Sequence, residues 1–339
     1  MALILGIEST CDETAAAVVA NGYEVRSNIV ATQIELHAKY RGVVPEIACR
    51  AHIENILPVL REAVQMAGAR LEDLDAIAVA YRPGLIGSLL IGVTAAKALA
   101  WALGKPLIGV DHVHAHLYSV KLETHTAPVF PAVGMVCSGG HTALYDVQDF
   151  SNITLIGATI DDAVGEAYDK VAAILGLGYP GGPVIDQLAA TGSPTAIDFP
   201  RSTLGRDSLD FSFSGLKTSV LYHVRGYKGK ERGPESLSQA QIADVAASFQ
   251  AACVDVIVKK IKRAVTQTRA KSILIGGGVS ANRGLREAMS RFPLPVFFPP
   301  LRYCTDNAAM SAGLAELYFQ AGKFSALDLD AFASSAISR

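Results

Sequence analysis

Three histidines crowd into "VDHVHAHLYSV", Val110 to Val120. On a helix, His112 and His116 are four residues apart and leave the same face, so both imidazoles can reach one ion. His114 points elsewhere. Val113 stands where the zinc-protease pattern H-E-x-x-H has its glutamate, so the general base built into that motif is missing. A third ligand must come from far along the chain, most naturally an Asp or Glu at a strand-to-helix junction. For H-x-x-x-H alone, surface or hydrogen-bonded core histidines are the commoner outcome.

Glycine turns are the second chemical signal. "SGGH" (Ser138 to His141) lies between two apolar runs, where its backbone N–H groups can converge on an anion. Ser9 and Thr10, in an earlier turn of the same design, can offer hydroxyls. "IGGGVSAN" follows a strand and opens a helix, a setting that favours a phosphate or nucleoside. A glycine turn is most often only a turn, but two matching hairpins and a third loop favour nucleotide binding. "GSLLIGVT" (Gly87 to Thr94) imitates a phosphate-binding loop, yet Val93 replaces its lysine and the run is an apolar helix. Carboxylates stand in polar turns at Glu8, Asp12, Glu13, Asp161, Asp162, Asp169, Asp186 and Asp306, where most such residues only form turns or caps.

The elements that carry these groups alternate. "LILGIESTCDETAAAVV" and "PAVGMVCSGGHTALYDV" each read as strand, polar turn, strand, which suggests a structural duplication. "DLDAIAVAYRPGL" and "KPLIGV" read as strands around an apolar helix, "GSLLIGVTAAKALAWAL", and a further helix begins at His112. "DAVGEAYDKVAAILGL" is a helix stopped by "GYPGGP". Thr191 to Pro234 reads as loops with short elements. "SQAQIADVAASFQAACVDVIVKKIKRAVTQTR" is one long helix capped at Ser238 or a neighbour. "DNAAMSAGLAELYFQAG" closes the chain. The expected lobes are 1–128 with 306–339, and 129–305.

The chain has 339 residues, half of them apolar and 18% charged, enough for a soluble α/β protein of two lobes. No apolar run is expected to span a membrane, and "MALILGIEST" lacks the basic region of a signal peptide. Five cysteines without framework spacing suit a reducing, cytoplasmic setting. Net charge −2 and a pI near 6.4 give no global attraction to nucleic acid, so RNA would need a local patch. Lys259 to Lys271 holds six cations and no acid, and Arg225 to Gly233 is a basic loop. Such runs are usually solvated faces; the functional reading is a phosphate-contacting strip.

Taken together, "GIESTCDETAAAVV", "GVVPEIACRAHIENILP", "HVHAH", "CSGGHTAL", "DDAVGEAYDKVAAILGLGYPGGP", "FSFSGLKTSV", "GGGVSANRGLR" and "YCTDNAAM" occur in an order that resembles the TsaD family of tRNA N6-adenosine threonylcarbamoyltransferases, formerly called O-sialoglycoprotein endopeptidases. The resemblance implies a two-lobed ATPase fold of the actin, sugar-kinase and Hsp70 type, built from duplicated RNase H-like domains. It implies that His112, His116 and Asp306 hold one divalent metal, iron(II) ahead of zinc or magnesium. It maps a donor loop onto Val136, Cys137, Ser138, Gly139 and Gly140, and nucleoside contacts onto Asp169, Gly182, Asp186 and Asn282. The donor implied is threonylcarbamoyl-AMP, with ATP, ADP or AMP as related ligands. The acceptor is N6 of the adenosine 3′ of the anticodon in a tRNA, and Glu13 or Asp12 is the candidate proton acceptor. Cys137 has no evident base and reads as packing. The implied partners are the tRNA anticodon loop, a paralogous scaffold subunit and a small P-loop ATPase, without a membrane. Family members often carry Asn at Asp111 and an acid or Gly at His114; neither position is a ligand. The rival readings are a metallopeptidase, an ordinary sugar kinase and a non-catalytic scaffold. The first lacks a base at Val113 and Ala115, the second has no use for a histidine pair, and the third typically lacks the metal ligands.

Overall fold

The computed structural model describes residues 2–40, 42–226 and 233–334. Most of the basic loop from Arg225 to Gly233 lies outside them. The chain divides into two compact units, 1–127 with 148–153 and 298–339, and 128–147 with 154–297.

In the first unit the order is β1 (Leu3–Glu8), β2 (Glu13–Ala20), β3 (Glu24–Thr32), α1 (Ile34–Ala38), α2 (Pro45–Met66), β4 (Ala76–Arg82), α3 (Ile86–Leu103), β5 (Leu107–Asp111) and α4 (His112–Tyr118). The sheet runs β3-β2-β1-β4-β5. β1 pairs antiparallel with β2 from Leu3↔Ala20 to Glu8↔Ala15, and parallel with β4. Leu5 and Ile7 of β1 are fully buried with Val79, Leu89 and Val93, each such side chain contributing about 1.5–3 kcal/mol. Glycine stops α3, since Gly104 takes a left-handed conformation at φ 63°.

The second unit holds β6 (Ala132–Cys137), β7 (Thr142–Asp149), β8 (Asn152–Ala158), α5 (Val164–Ile174), α6 (Gly181–Ala189), α7 (Ser214–Arg225), α8 (Gln239–Thr268), β9 (Ser272–Gly276), α9 (Arg283–Ser290) and β10 (Val296–Phe297). Its sheet, read from β8, runs β8-β7-β6-β9-β10, with β6 antiparallel to β7 and parallel to β9. That repeats β3-β2-β1-β4-β5 strand for strand, so the duplicated hairpins belong to duplicated sheets. α10 (Ala308–Gln320) then packs on β1 and β2.

Three expectations are corrected. The stretch 191–234 contains a twelve-residue helix, α7, rather than only short elements. Its cap comes from far away: Asp161 Oδ1 accepts the N–H groups of Phe213 and Ser214 at 2.9 and 3.2 Å. Two helices, α3 and α8, are long and apolar enough to cross a membrane by length and composition, although most of α8 is buried inside the protein. The basic end of α8 is not wholly a solvated face. Lys260 is fully buried, and its Nζ donates to the carbonyls of Thr203 and Ser208, both at 2.7 Å. Arg263 donates to the carbonyls of Gly205 and Ser208.

The Lys260 clasp has a pH signature. Burial first, then Arg263, lowers the amine from 10.5 to about 8, with Asp210 pulling the other way. Between those values the unfolded chain binds more protons than the folded one, so this contribution to stability rises with pH. Lys260→Met removes it. The melting temperature of the parent protein relative to Lys260→Met is therefore expected to rise from about pH 8 to about pH 10; a gap that shrinks over that range contradicts the clasp.

Candidate functional site

β5 delivers the histidine pair directly into α4. Asp111 caps that helix, its Oδ1 accepting the N–H groups of Val113 and His114 at 3.0 and 3.3 Å, while its Oδ2 accepts Arg82 Nε at 3.1 Å. The two rings of His112 and His116 lie 4.6 Å apart by centroid, edge to face. Asp306, the residue before the Asn307 cap of α10, meets both: its Oδ1 is 3.0 Å from His116 Nε2 and 3.7 Å from His112 Nε2. One donor atom from each of the three lies within 4.8 Å of the others. His114 is not part of this cluster; burial lowers its pKa.

Behind His112 sits a carboxylate whose contact with the ring no local motif signals. Glu8, at the end of β1, is fully buried, and its Oε2 lies 3.1 Å from His112 Nδ1. Its Oε1 accepts the N–H of Thr10 at 2.9 Å, and Ser311 Oγ donates to Oε2 at 3.4 Å. A carboxylate on Nδ1 holds the proton at that nitrogen, so that when an ion displaces the second ring proton Nε2 is the atom that coordinates, the usual outer support of a metal-bound histidine. Ser9 departs from expectation. It is buried and its hydroxyl donates to the Ser88 carbonyl at 2.9 Å, so it serves the packing of α3 and cradles no anion. Thr10 is also buried, with Oγ1 3.3 Å from His112 Nδ1.

Charge gives a test of whether an ion fits here. Burial, the largest influence on His112, opposes its charge, but Glu8 and Asp306 outweigh it and raise the pKa to about 9. Burial first, then Asp306 and Asp12, pushes the Glu13 carboxyl well above the usual carboxylate range. The Cys11 thiol is driven up by burial and then by Asp12 and Asp306. Besides burial, neighbouring carboxylates contribute to each of these three shifts, so the histidines stand among several acids. His116 adds a buried Nδ1 without a hydrogen-bond partner. Two imidazoles and one carboxylate with open positions suit iron(II), and zinc tolerates the same set. These residues fit a divalent metal.

The remaining candidate residues lie in the second unit. Val136 and Cys137 are strand residues with buried side chains, Cys137 Sγ reaching the Gly276 carbonyl at 3.5 Å. Ser138 closes the turn by donating its N–H to the His141 carbonyl at 2.8 Å, and its Oγ accepts the His141 N–H at 3.1 Å. Gly139 and Gly140 are exposed, with open space where a Cβ would stand. The start of α5 abuts this turn: Gly165 N–H donates to the Ser138 carbonyl at 3.2 Å, and a Cβ at Gly165 would fall 2.6 Å from that oxygen. The open turn thus sits at a helix N-terminus, where anions are favoured.

Asp169 Oδ1 accepts the N–H of Gly181 at 2.7 Å and fixes the turn into α6, where Gly182 is half-buried with open space around it. Asp186 and Asn282 do not meet directly. Gln250 of α8 stands between them, donating to Asp186 Oδ1 at 3.1 Å and accepting from Asn282 Nδ2 at 2.7 Å. Arg283 Nε donates to Asp186 Oδ2 at 2.8 Å. Sequence reasoning missed both Gln250 and Arg283; an amide buried on the apolar face of α8 was the available signal. Lys217 of the "FSFSGLKTSV" block pairs with Asp162 at 2.7 Å, which ties α7 to the segment leading into α5.

Comparison with known proteins identifies the family. The family model for tRNA N6-adenosine threonylcarbamoyltransferase matches residues 24–313. A protein of that name from Moorella thermoacetica is 52% identical over 332 residues, covering 97% of this chain and 95% of its own. One from Geobacillus kaustophilus is 52% identical over 333 residues, with the same coverage. Among solved structures, full-length HypF in its phosphate- and nucleotide-bound form gives a TM-score of 0.60 at 15% identity, covering 96% of this chain and 47% of that one. Component A of the (R)-2-hydroxyglutaryl-CoA dehydratase of Acidaminococcus fermentans gives 0.55 at 14%, covering 95% and 100%. At such identities the likeness shows the fold alone, a duplicated α/β architecture of the actin and sugar-kinase type. With half-identical relatives matched along nearly their whole length, the chain belongs to the tRNA N6-adenosine threonylcarbamoyltransferase family and is an acyltransferase that modifies tRNA.

Proposed function

We propose that this chain transfers the threonylcarbamoyl group from threonylcarbamoyl-AMP to N6 of the adenosine 3′ of the anticodon, in tRNAs reading codons that begin with A. The observation that carries the reading is the convergence of His112, His116 and Asp306 in front of the Glu8–His112 contact. These three residues hold one divalent ion, iron(II) ahead of zinc or magnesium; when bound, it supplies Lewis acidity toward the oxygens of the donor.

The chain's own groups do the rest. The N–H groups of Gly139 and Gly140, with the α5 N-terminus behind them, hold the phosphate or threonyl end of the donor. Asp169 and Asp186 take ribose hydroxyls, and the Gly182 and Asn282 loops face the adenosine. The target base is splayed out of a single-stranded loop. Its N6 forms a bond to the carbamoyl carbon, and the bond from that carbon to the phosphate oxygen breaks. The electron pair leaves with AMP, and the N6 proton passes to Glu13 or Asp12. No protein nucleophile is needed, and Cys137, buried in β6, is packed away from such a role.

We place the enzyme in the cytoplasm, working with a paralogous scaffold subunit and a small P-loop ATPase; the near-neutral charge suits a catalyst that shares RNA binding. The metallopeptidase reading lacks the glutamate of the H-E-x-x-H motif, since Val113 and Ala115 are apolar and buried, and the half-identical relatives carry the transferase name. A scaffold subunit has no need of three convergent ligands. The deciding experiment is nucleoside analysis of tRNA hydrolysed from cells depleted of this chain. Threonylcarbamoyladenosine is expected to disappear; its persistence at the normal level refutes the reading.

A further inference from the structure

We propose that Gln250 is a positioning residue for the nucleoside pocket, fixing the Asp186 carboxylate and the Asn282 loop in one arrangement. The proposal rests on the assignment of Asp186 to the donor's ribose made above. Gln250 is buried on α8 between Phe249 and the apolar Ala252 and Cys253, where an uncompensated amide is costly. Every polar atom of its side chain has a partner. Oε1 accepts from Asn282 Nδ2 at 2.7 Å and from the Tyr168 hydroxyl at 3.5 Å, and Nε2 donates to Asp186 Oδ1 at 3.1 Å.

The orientation of the amide follows from its neighbours. Asn282 Oδ1 is committed to capping α9, accepting the Leu285 N–H at 2.9 Å, so Nδ2 is what Asn282 turns toward Gln250. Gln250 must answer with its oxygen, which leaves its NH₂ for a carboxylate. Position 284 makes room: a Cβ there would fall 2.9 Å from Gln250 Nε2, and the residue is glycine. On the outer side, Arg283 donates its backbone N–H to Asp186 Oδ1 at 3.3 Å and its Nε to Oδ2 at 2.8 Å, but this side chain is 61% exposed. Arg283 is thus the partner that can yield to an arriving hydroxyl, while Gln250 stays.

The test uses the full chain with AMP as probe in calorimetry, and the transfer assay with varied donor. Gln250→Met keeps the volume and removes both strong hydrogen bonds; it is expected to weaken AMP binding and raise the donor KM about tenfold, with kcat kept within about twofold. Gln250→Glu keeps the acceptor for Asn282 but faces Asp186 with a second carboxylate. Its AMP affinity is expected to fall at neutral pH and to recover as the pH is lowered and the new group protonates, which a merely structural role would not produce. If Gln250→Met loses its melting transition, Gln250→Glu carries the same decision. Parent-like AMP affinity in the Gln250 variants, beside weakened binding in Asp186→Ala, overturns this proposal and spares the nucleoside reading. Parent-like affinity in Asp186→Ala as well removes the nucleoside reading and this proposal with it.

Discussion

His112→Ala is expected to lose at least about tenfold in metal affinity and to abolish transfer while the protein stays folded. Losing a direct ligand must cost more than losing an outer partner, and outer partners alone are worth about 10–100-fold. The fold should survive because the ring is one face of a small polar cluster, while β1, β4 and α3 carry the apolar packing around it. Truncation leaves the Glu8 carboxylate with Thr10 N–H and Ser311, a local loss of about 1–3 kcal/mol. Metal content of the purified variant, its melting curve and its transfer rate decide the matter. A His112→Ala protein that keeps its metal refutes the ligand role, and one that is metal-free yet active refutes the requirement for the ion.

Glu8→Gln is the second large effect, although it changes no volume. In the parent protein the carboxylate accepts from His112 Nδ1–H, so it is the Nε2 proton that an arriving ion displaces and Nε2 that coordinates. In the variant, the amide oxygen must serve the Thr10 N–H at the Oε1 position, so the NH₂ faces the ring. Two donors cannot share that contact. Nδ1 must become the acceptor, and the proton moves to Nε2, where it blocks coordination. Metal affinity is expected to fall about 10–100-fold, with little change in melting temperature. Parent-like affinity in Glu8→Gln contradicts the outer-support role of Glu8.

These two residues also mark where the sequence was readable and where it was not. The histidine pair was legible because helical spacing alone puts positions 112 and 116 on one face. The two hairpins were legible from strand, polar turn and strand, and their sheets repeat one another. Asp306 stood among the acids in polar turns, but its role as a ligand came only through the family resemblance, since 190 residues separate it from His116 and no local pattern links them. The Glu8–His112 contact spans 104 residues, and without it Glu8 is one more acid in a turn. α7 escaped notice because Phe213 stands where a local cap would be and the capping carboxylate is Asp161. Lys260 reads as part of a solvated cationic run until the carbonyls of Thr203 and Ser208 close over it. Ser9 failed for a related reason: a hydroxyl in a polar turn looks available, but the close approach of α3 takes it. In each case local spacing supplied the element, and a partner distant in sequence decided what the side chain does.

The central claim is that an ion held by His112, His116 and Asp306 is required for transfer from threonylcarbamoyl-AMP to tRNA. The most direct measurement combines the purified chain, its expected partners, threonylcarbamoyl-AMP and unmodified tRNA, using protein stripped of metal and the same protein reloaded with iron(II) or zinc. Reloaded protein is predicted to release AMP and form threonylcarbamoyladenosine in equal amounts, and stripped protein neither. Equal transfer by the stripped protein, or AMP release without modified tRNA after reloading, would contradict the account.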